Sequence, residues 1–317
     1  MKKINGTWFE FRHFGVPEGK YFNPFLMTFT PEQWVAMIED IAGLGMEYLV
    51  LMCSALDVKT FYKSELFEEY PITCKNLLGL TLETCDRLNL KAFVSNDCVG
   101  AWQYPDNMIT DPEICRRRAA ITEEIAGLFG HHKSFYGWYW TNEAEIYPYY
   151  KEEFIKYVNI NSEMAHRLTP GKKTLIAPYG TFRVKTDDTY LDQLSRLDVD
   201  IIAYQDEIGV RKSNIEWTPK YFESLRKAHD KVGRSKIWAD MEVFQFEGPI
   251  YTSALLPAPF ERIKAQLQGI QDFVDEVMIF EYPGLFSRPG SIASMGKSQE
   301  KLYTDYKAYL DSIKDQL

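Results

Sequence analysis

The sequence predicts a (β/α)8 TIM barrel that takes in residues 1 to 317 as a single domain. Three observations carry that expectation. Short β-branched or aromatic runs alternate with longer amphipathic ones eight times over; several of the amphipathic runs open on helix-capping signals directly after a strand; and no internal repeat, low-complexity tract or Pro/Gly-rich linker divides the chain. An open doubly wound sheet usually stops at about six strands, so eight βα units in 317 residues favour closure into a barrel.

The strand runs, in order, are GTWFEF (6 to 11), EYLVLMC (47 to 53), LKAFVSN (90 to 96), FYGWYWTN (135 to 142), KTLIAPY (173 to 179), VDIIAYQ (199 to 205), KIWADME (236 to 242) and DEVMIFEY (275 to 282). Between them the helices announce their starts. Thr30-Pro31-Glu32-Gln33 offers a capping Thr, a Pro at the first helical position and a Gln at the capping-box position, and Asp111-Pro112 and Thr218-Pro219 repeat the first two signals. Trp34, Met37, Ile38 and Ile41 then recur at helical spacing, as do Phe260, Ile263, Leu267 and Ile270 in the seventh helix, so each helix lays an apolar stripe on the sheet. Segments 12 to 29 and 243 to 258 read as the longest βα loops and would wall the mouth, while short loops after strands six and eight suggest an open cleft.

Composition narrows the function. A formal charge of -9 argues against nucleic acid or an anionic membrane as the main partner, since both need clustered Lys and Arg. The run Arg116, Arg117, Arg118 is short, helical in pattern and reads as a solvated face. Five cysteines, Cys53, Cys74, Cys85, Cys98 and Cys115, are odd in number and lack CxxC spacing, so neither a disulfide framework nor a zinc ribbon is indicated. The opening MKKINGTWFEF carries no signal-peptide pattern, and no apolar run is long enough to span a bilayer; the expectation is a cytoplasmic chain, or an exported one whose leader has been removed. Against 5 His stand 20 Tyr, 20 Phe and 7 Trp, a surplus of rings that suits a binding cleft.

In a barrel the working residues sit at the C-terminal strand ends. That rule selects Glu10, Arg12 and His13 after the first strand, Asn96 and Asp97 after the third, Asn142 and Glu143 after the fourth, and Tyr179 and Arg183 after the fifth. It also selects Tyr204, Gln205, Asp206 and Glu207 after the sixth, Glu242 after the seventh, and Glu281 and Tyr282 after the eighth. Trp102 and Tyr104, in the third βα loop, are candidate stacking platforms, whereas Trp138 and Trp140 read as packing between sheet and helices. Carboxylates and rings dominate. Glycosidic hydrolysis needs one carboxylic acid to protonate the leaving oxygen and one carboxylate across the sugar, with rings as platforms for sugar faces. Within WYWTNEAEIYPYY, aromatic surroundings would desolvate Glu143 and keep it protonated near neutral pH; Glu145 reads as a rim residue because Pro148 places it in a loop.

At these residues the chain resembles the clan A glycoside hydrolases, (β/α)8 retaining glycosidases in which a Glu after Asn on the fourth strand is the acid/base and a Glu ending the seventh strand is the nucleophile. Thr141-Asn142-Glu143 and the Glu242 of WADMEVF stand at those places. The resemblance implies Glu143 as acid/base, Glu242 as nucleophile, Asn142 as a contact to the sugar 2-hydroxyl, and Tyr204 as the sixth-strand Tyr beside the nucleophile. The eighth strand reads IFEYPG where that clan carries a Trp platform, and Tyr282 is the substitute on offer. The chain looks most like the bacterial glycosidase-like barrel families of unknown function related to this clan. Carboxyl groups roughly 5 to 5.5 Å apart would mean retention and about 6.5 to 9.5 Å inversion.

The expectation is therefore a glycoside hydrolase acting on an oligo- or polysaccharide, with a carbohydrate substrate, no cofactor and no metal. Glu10, Arg12, Asp97, Trp102, Tyr179, Gln205, Asp206 and Glu281 complete the expected substrate contacts. Strand alternation sends Asp206 and Glu207 to opposite sides, and puts Asp240 on the same face as Glu242, as a rival to it. Two other readings fit the sequence. One is a carbohydrate-binding barrel without turnover. The other is a carboxylate-metal-dependent barrel enzyme; histidine is poorly placed for it, since His166 and His229 lie in helical patterns, His131 and His132 precede strand four, and only His13 nears the mouth.

Overall fold

The computed structural model describes residues 2–15, 18–100 and 105–316. Strands β1 (Gly6–Phe9), β2 (Tyr48–Leu51), β3 (Lys91–Ser95), β4 (Phe135–Tyr139), β5 (Lys173–Ile176), β6 (Ile201–Gln205), β7 (Lys236–Glu242) and β8 (Glu276–Phe280) form a closed parallel barrel. Each pairs with its neighbours in sequence, and β1 closes on β8 through Gly6 opposite Met278 and Thr7 opposite Ile279. The eight expected strands are all present. Most ladders stop before the apolar runs do, which releases Thr141 to Glu143 and Glu281 to Tyr282 into the loops at the barrel mouth.

Helices α1 (Pro31–Gly43), α2 (Leu77–Leu88), α3 (Pro112–Phe129), α4 (Glu152–Leu168), α5 (Asp188–Arg196), α6 (Thr218–Val232), α7 (Phe260–Ile270) and α8 (Lys297–Ile313) follow the strands, and a short helix, Pro105–Thr110, precedes α3. The expected capping box forms on α1, where the Gln33 N–H donates to the Thr30 hydroxyl and the Thr30 N–H to the Gln33 side chain. Asp111 likewise accepts from the Glu113 and Ile114 N–H groups at the start of α3. The third start differs: Thr218 is already helical, and the Asn214 side chain accepts from Glu216 and Trp217 one turn earlier, so the local turn chemistry of Asn displaced the Thr cap. Trp34, Met37, Ile38 and Ile41 of α1 and Ile263, Leu267 and Ile270 of α7 are buried as their spacing requires. Among the described residues no helix is long and apolar enough to cross a membrane.

Side-chain alternation divides each strand between barrel interior and helical layer. On β4, Trp138 and Trp140 point outward and donate to the Thr169 and Ser162 hydroxyls, as their packing role predicts. Inside, Trp238 of β7 meets Tyr48 at 4.9 Å and Phe93 at 5.8 Å between ring centroids and plugs the lower barrel. Gly6 makes room there, because a Cβ would lie 2.3 Å from the Tyr48 carbonyl oxygen. The longest connection is not one of the two expected but residues 52–76, between β2 and α2, which carry a two-stranded ribbon of Ala55–Leu56 and Lys59–Thr60. After β7 the chain forms a second ribbon, Phe244–Phe246 paired with Leu255–Pro257, and after β1 it forms short 3-10 turns at Glu18–Lys20 and Pro24–Thr28. These last two segments do wall the mouth.

Candidate active site

The alternation that sets Trp238 in the barrel floor raises Asp240 and then Glu242 above it on the same face of β7. Register places Phe280 of β8 opposite Glu242, and Gln205 of β6 opposite Asp240. On β4, continuing the same parity from Tyr139 brings Glu143 inward. Asp240, Glu242, Phe280, Gln205 and Glu143 line one cavity of about 130 Å³. Met52 and Val210 complete its base, His13, Phe14, Glu18 and Phe22 of the first loop form one wall, and Phe244, Phe246, Tyr251 and Leu255 of the ribbon after β7 form the other. Glu143 and Glu242, remote in sequence, thus converge on a single pocket.

Their environments differ. Glu143 is half-buried and its carboxyl is pushed up to about 7, chiefly by desolvation, against the opposing pull of a Gln205 hydrogen bond and the charges of His13 and Lys212. Burial and the neighbouring Asp206 charge push the Glu242 carboxyl well above the usual range, opposed by the Val210 N–H, which donates to its Oε2 at 2.8 Å, and by the Gly209 N–H. That backbone cradle requires glycine: a Cβ at Gly209 would lie 2.9 Å from Glu242 Oε2 and 2.8 Å from the Phe244 ring. Asp240 is buried, its Oδ1 has no hydrogen-bond partner, and burial followed by the charges of Glu143, Glu242 and Asp206 drives its carboxyl well above the usual range. So many acids around one cavity repel one another, and burial favours the neutral form of Asp240 and of Glu242 alike; of the two, only Glu242 has backbone donors that favour its ionised form.

The wall at His13 is a charged cluster. Nδ1 of His13 lies 3.0 Å from Glu10 Oε2 and Nε2 lies 3.0 Å from Glu18 Oε2. Burial works against the imidazolium, but the charge and hydrogen bond of Glu10, joined by those of Glu18, hold its pKa at about 9. Asn23 ties this cluster to β8 by donating to both Glu10 and Glu281 at 2.8 Å.

The other residues expected at the site separate into three groups. Gln205 lines the cavity; Tyr179 does not, its ring lying 5.0 Å from Lys212 Nζ and its hydroxyl being pushed up to about 12 by burial and the charges of Glu145 and Glu143. Asn142 is buried behind Glu143 with its amide nitrogen unpartnered and does not line the cavity. The remaining placements run against expectation. Tyr204 alternates away from Gln205 into the helical layer, bonded to the Tyr190 hydroxyl at 2.6 Å and to His229 Nε2 at 2.9 Å. Asp206 is consumed by three donors, the N–H groups of Glu242 and Ile208 and the Gln266 amide. Glu207 accepts the N–H groups of Gly180 and Thr181.

Asp97 faces Arg118 at 2.7 Å and the Tyr157 hydroxyl at 3.0 Å, away from the pocket. Arg12 stacks over Tyr70. Glu10 and Glu281 are sealed beneath His13 rather than open to a ligand. Tyr282 turns outward after the end of β8 and stacks on Phe286, so Phe280, not Tyr282, is the eighth-strand ring at the pocket. Trp102 and Tyr104 lie outside the described residues. Glu145 is exposed and pairs with Arg183 at 2.6 Å, a rim position as expected. Cys98 is buried against Cys53, their sulfurs 2.9 Å apart. Phe280 was legible from its register with Glu242; the wall rings Phe22, Phe244, Phe246 and Tyr251 carried no signal beyond lying in the two segments expected to wall the mouth. Among the described residues no group of three or more His, Cys, Asp or Glu is arranged to hold a metal ion.

Solved structures share this fold. A putative alpha-L-fucosidase from Bacteroides thetaiotaomicron superposes with a TM-score of 0.76 at 20% identity, covering 98% of this chain and 93% of that one. The endo-1,4-beta-D-mannanase of Thermotoga petrophila gives 0.62 at 10% identity over 97% and 100% of the two chains, and that of Rhizomucor miehei 0.62 at 11% over 98% and 95%. The expected likeness to barrel glycosidases therefore holds at the level of fold. A search of curated protein sequences found no match. The model of one family, described as a domain of unknown function, matches residues 4–293, and the chain belongs to that family, DUF4434.

Proposed function

We propose that this protein is a retaining glycoside hydrolase in which Glu143 is the acid/base and Glu242 the nucleophile. The observation that carries the reading is the convergence of these two glutamates, from β4 and β7, on one ring-lined pocket in contrasting environments. Desolvation gives Glu143 an affinity for a proton near neutral pH, which suits a group that must donate and then recover one. Glu242 receives backbone N–H donors that compensate a carboxylate. In the first step Glu242 attacks the anomeric carbon while the bond to the leaving oxygen breaks and Glu143 delivers its proton there. In the second, Glu143 removes a proton from water as that water attacks the glycosyl ester and Glu242 departs. Neutral Asp240, between them, can donate a hydrogen bond to a sugar hydroxyl without opposing the charge on Glu242. The barrel glycosidases that share the fold support the same chemistry.

The test is a panel of aryl glycosides, followed by trapping with the 2-deoxy-2-fluoro analogue of whichever one is turned over. Mass spectrometry should find the adduct on the peptide carrying Glu242, and NMR should show retained anomeric configuration. An adduct on Asp240 would transfer the nucleophile to that residue. Inverted product, or a Glu143→Gln variant with undiminished turnover, would end the assignment.

A further inference from the structure

Resting on that reading, we infer that the pocket takes one terminal sugar ring without a negative charge, so that the enzyme releases single neutral or amino sugars from the non-reducing end and rejects uronic and other acidic sugars. Size is the first argument. A cavity of about 130 Å³ is roughly ten times the space one water requires, the scale of a single pyranose rather than a run of them. Enclosure is the second. The wall after β1 and the wall after β7 meet over the pocket, where Phe22 touches Phe246 with ring centroids 5.9 Å apart, both rings buried. Phe244 in turn packs on Phe280 at 6.0 Å. A glycan therefore cannot continue past its reacting ring on that side, contrary to the open cleft that loop lengths suggested.

Charge is the third argument. Four carboxyl side chains line the cavity, Glu18, Glu143, Asp240 and Glu242, against one cationic group, His13, already held between Glu10 and Glu18. No Lys or Arg lines it among the described residues. The cations nearby are engaged elsewhere: Lys212 with Glu207 at 3.6 Å and the Tyr179 ring, Arg211 with the Phe246 carbonyl at 3.4 Å, and Arg262 with the Glu242 and Phe244 carbonyls at 2.9 and 2.7 Å. A sugar carboxylate would lose its hydration beside the Glu242 carboxyl and the already paired Glu18, with no free cation to replace it, whereas hydroxyls or an ammonium would find acceptors.

The experiment compares, on the wild-type protein, a hydrolysed neutral aryl glycoside with the uronide of the same ring stereochemistry, and an oligosaccharide of that sugar with one whose terminal ring carries a bulky 4,6-acetal. Expected are at least a ~100-fold lower kcat/KM for the uronide, stepwise monosaccharide release from the free oligosaccharide, and no cleavage of the blocked one. Phe246→Ala, or Phe22→Ala from the opposite wall, should let the blocked chain in. Efficient uronide turnover, or internal cutting of the blocked chain by wild type, would overturn the inference while leaving the two-glutamate chemistry standing. No turnover of any glycoside would remove both.

Discussion

Replacing Glu143 with Gln separates the chemistry of this residue from the cost of holding it. The substitution keeps the shape of the side chain and removes its titration. In the folded protein the Glu143 carboxyl is raised from 4.5 to about 7 by burial, so the native state binds its proton more tightly than the unfolded chain does. The resulting destabilisation is absent below pH 4.5, grows as pH rises toward 7, and is complete above it. At about 1.36 kcal/mol per pH unit it reaches roughly 3 kcal/mol, and partial solvent access brings this nearer 2. Glu143→Gln should therefore be about 2 to 3 kcal/mol more stable than wild type in urea unfolding at pH 8 and indistinguishable from it at pH 4, while the alkaline fall of wild-type kcat/KM near pH 7 disappears from the residual activity of the variant. A stability difference that is the same at both pH values would refute the desolvation on which the acid/base role depends.

Three further outcomes follow from the same geometry. Asp240→Asn, which stays neutral and keeps a donor, should hold kcat/KM within about tenfold, whereas Asp240→Ala should lower it about 100-fold through loss of a preorganised donor; equal losses in steady-state assays would show that Asp240 acts as a charge. Gly209→Ala drives a methyl into Glu242 Oε2 and the Phe244 ring, and a displacement approaching 1 Å should cost about 100-fold in kcat, with circular dichroism reporting an intact barrel. Asp97→Ala strands Arg118 in the protein interior and should cost about 3 to 5 kcal/mol in denaturant unfolding with KM unchanged; a raised KM at full stability would return Asp97 to the substrate contacts.

Period and parity made the barrel readable before any coordinates: eight runs, two of the three cap sites and the inward face of β7 all follow from local rules that tertiary packing reinforces. The same parity would have excluded Tyr204 once Gln205 was taken as inward. What local rules could not reach was the fate of polar side chains beyond the last ladder bond. Asp97, Asp206 and Glu281 stand at strand ends where ligand contacts belong, yet each is taken up by the scaffold, by Arg118, by Gln266 and two N–H groups, and by Asn23. Apart from Ile208, two residues from Asp206, those partners lie 21 to 258 residues away in sequence, so nothing adjacent to the acids announces them. Tyr282 failed for another reason, since alternation does not carry past the end of β8.

The inward face of β7 makes structure and chemistry inseparable. Trp238, Asp240 and Glu242 are three successive steps on one strand, and burying the first as the floor fixes the height of the other two. Burial alone would favour the neutral form of both acids, so the position of the proton depends on who supplies hydrogen bonds. Asp206 has three donors, Glu242 has the Val210 N–H and Asp240 has none. The donors therefore favour the ionised form of Glu242 over that of Asp240, and a proton held on Asp240 would relieve part of the repulsion on Glu242. On the proposed reading, a nucleophile four residues beyond the Trp238 plug is favoured as a carboxylate when Asp240, the acid between them, holds the proton.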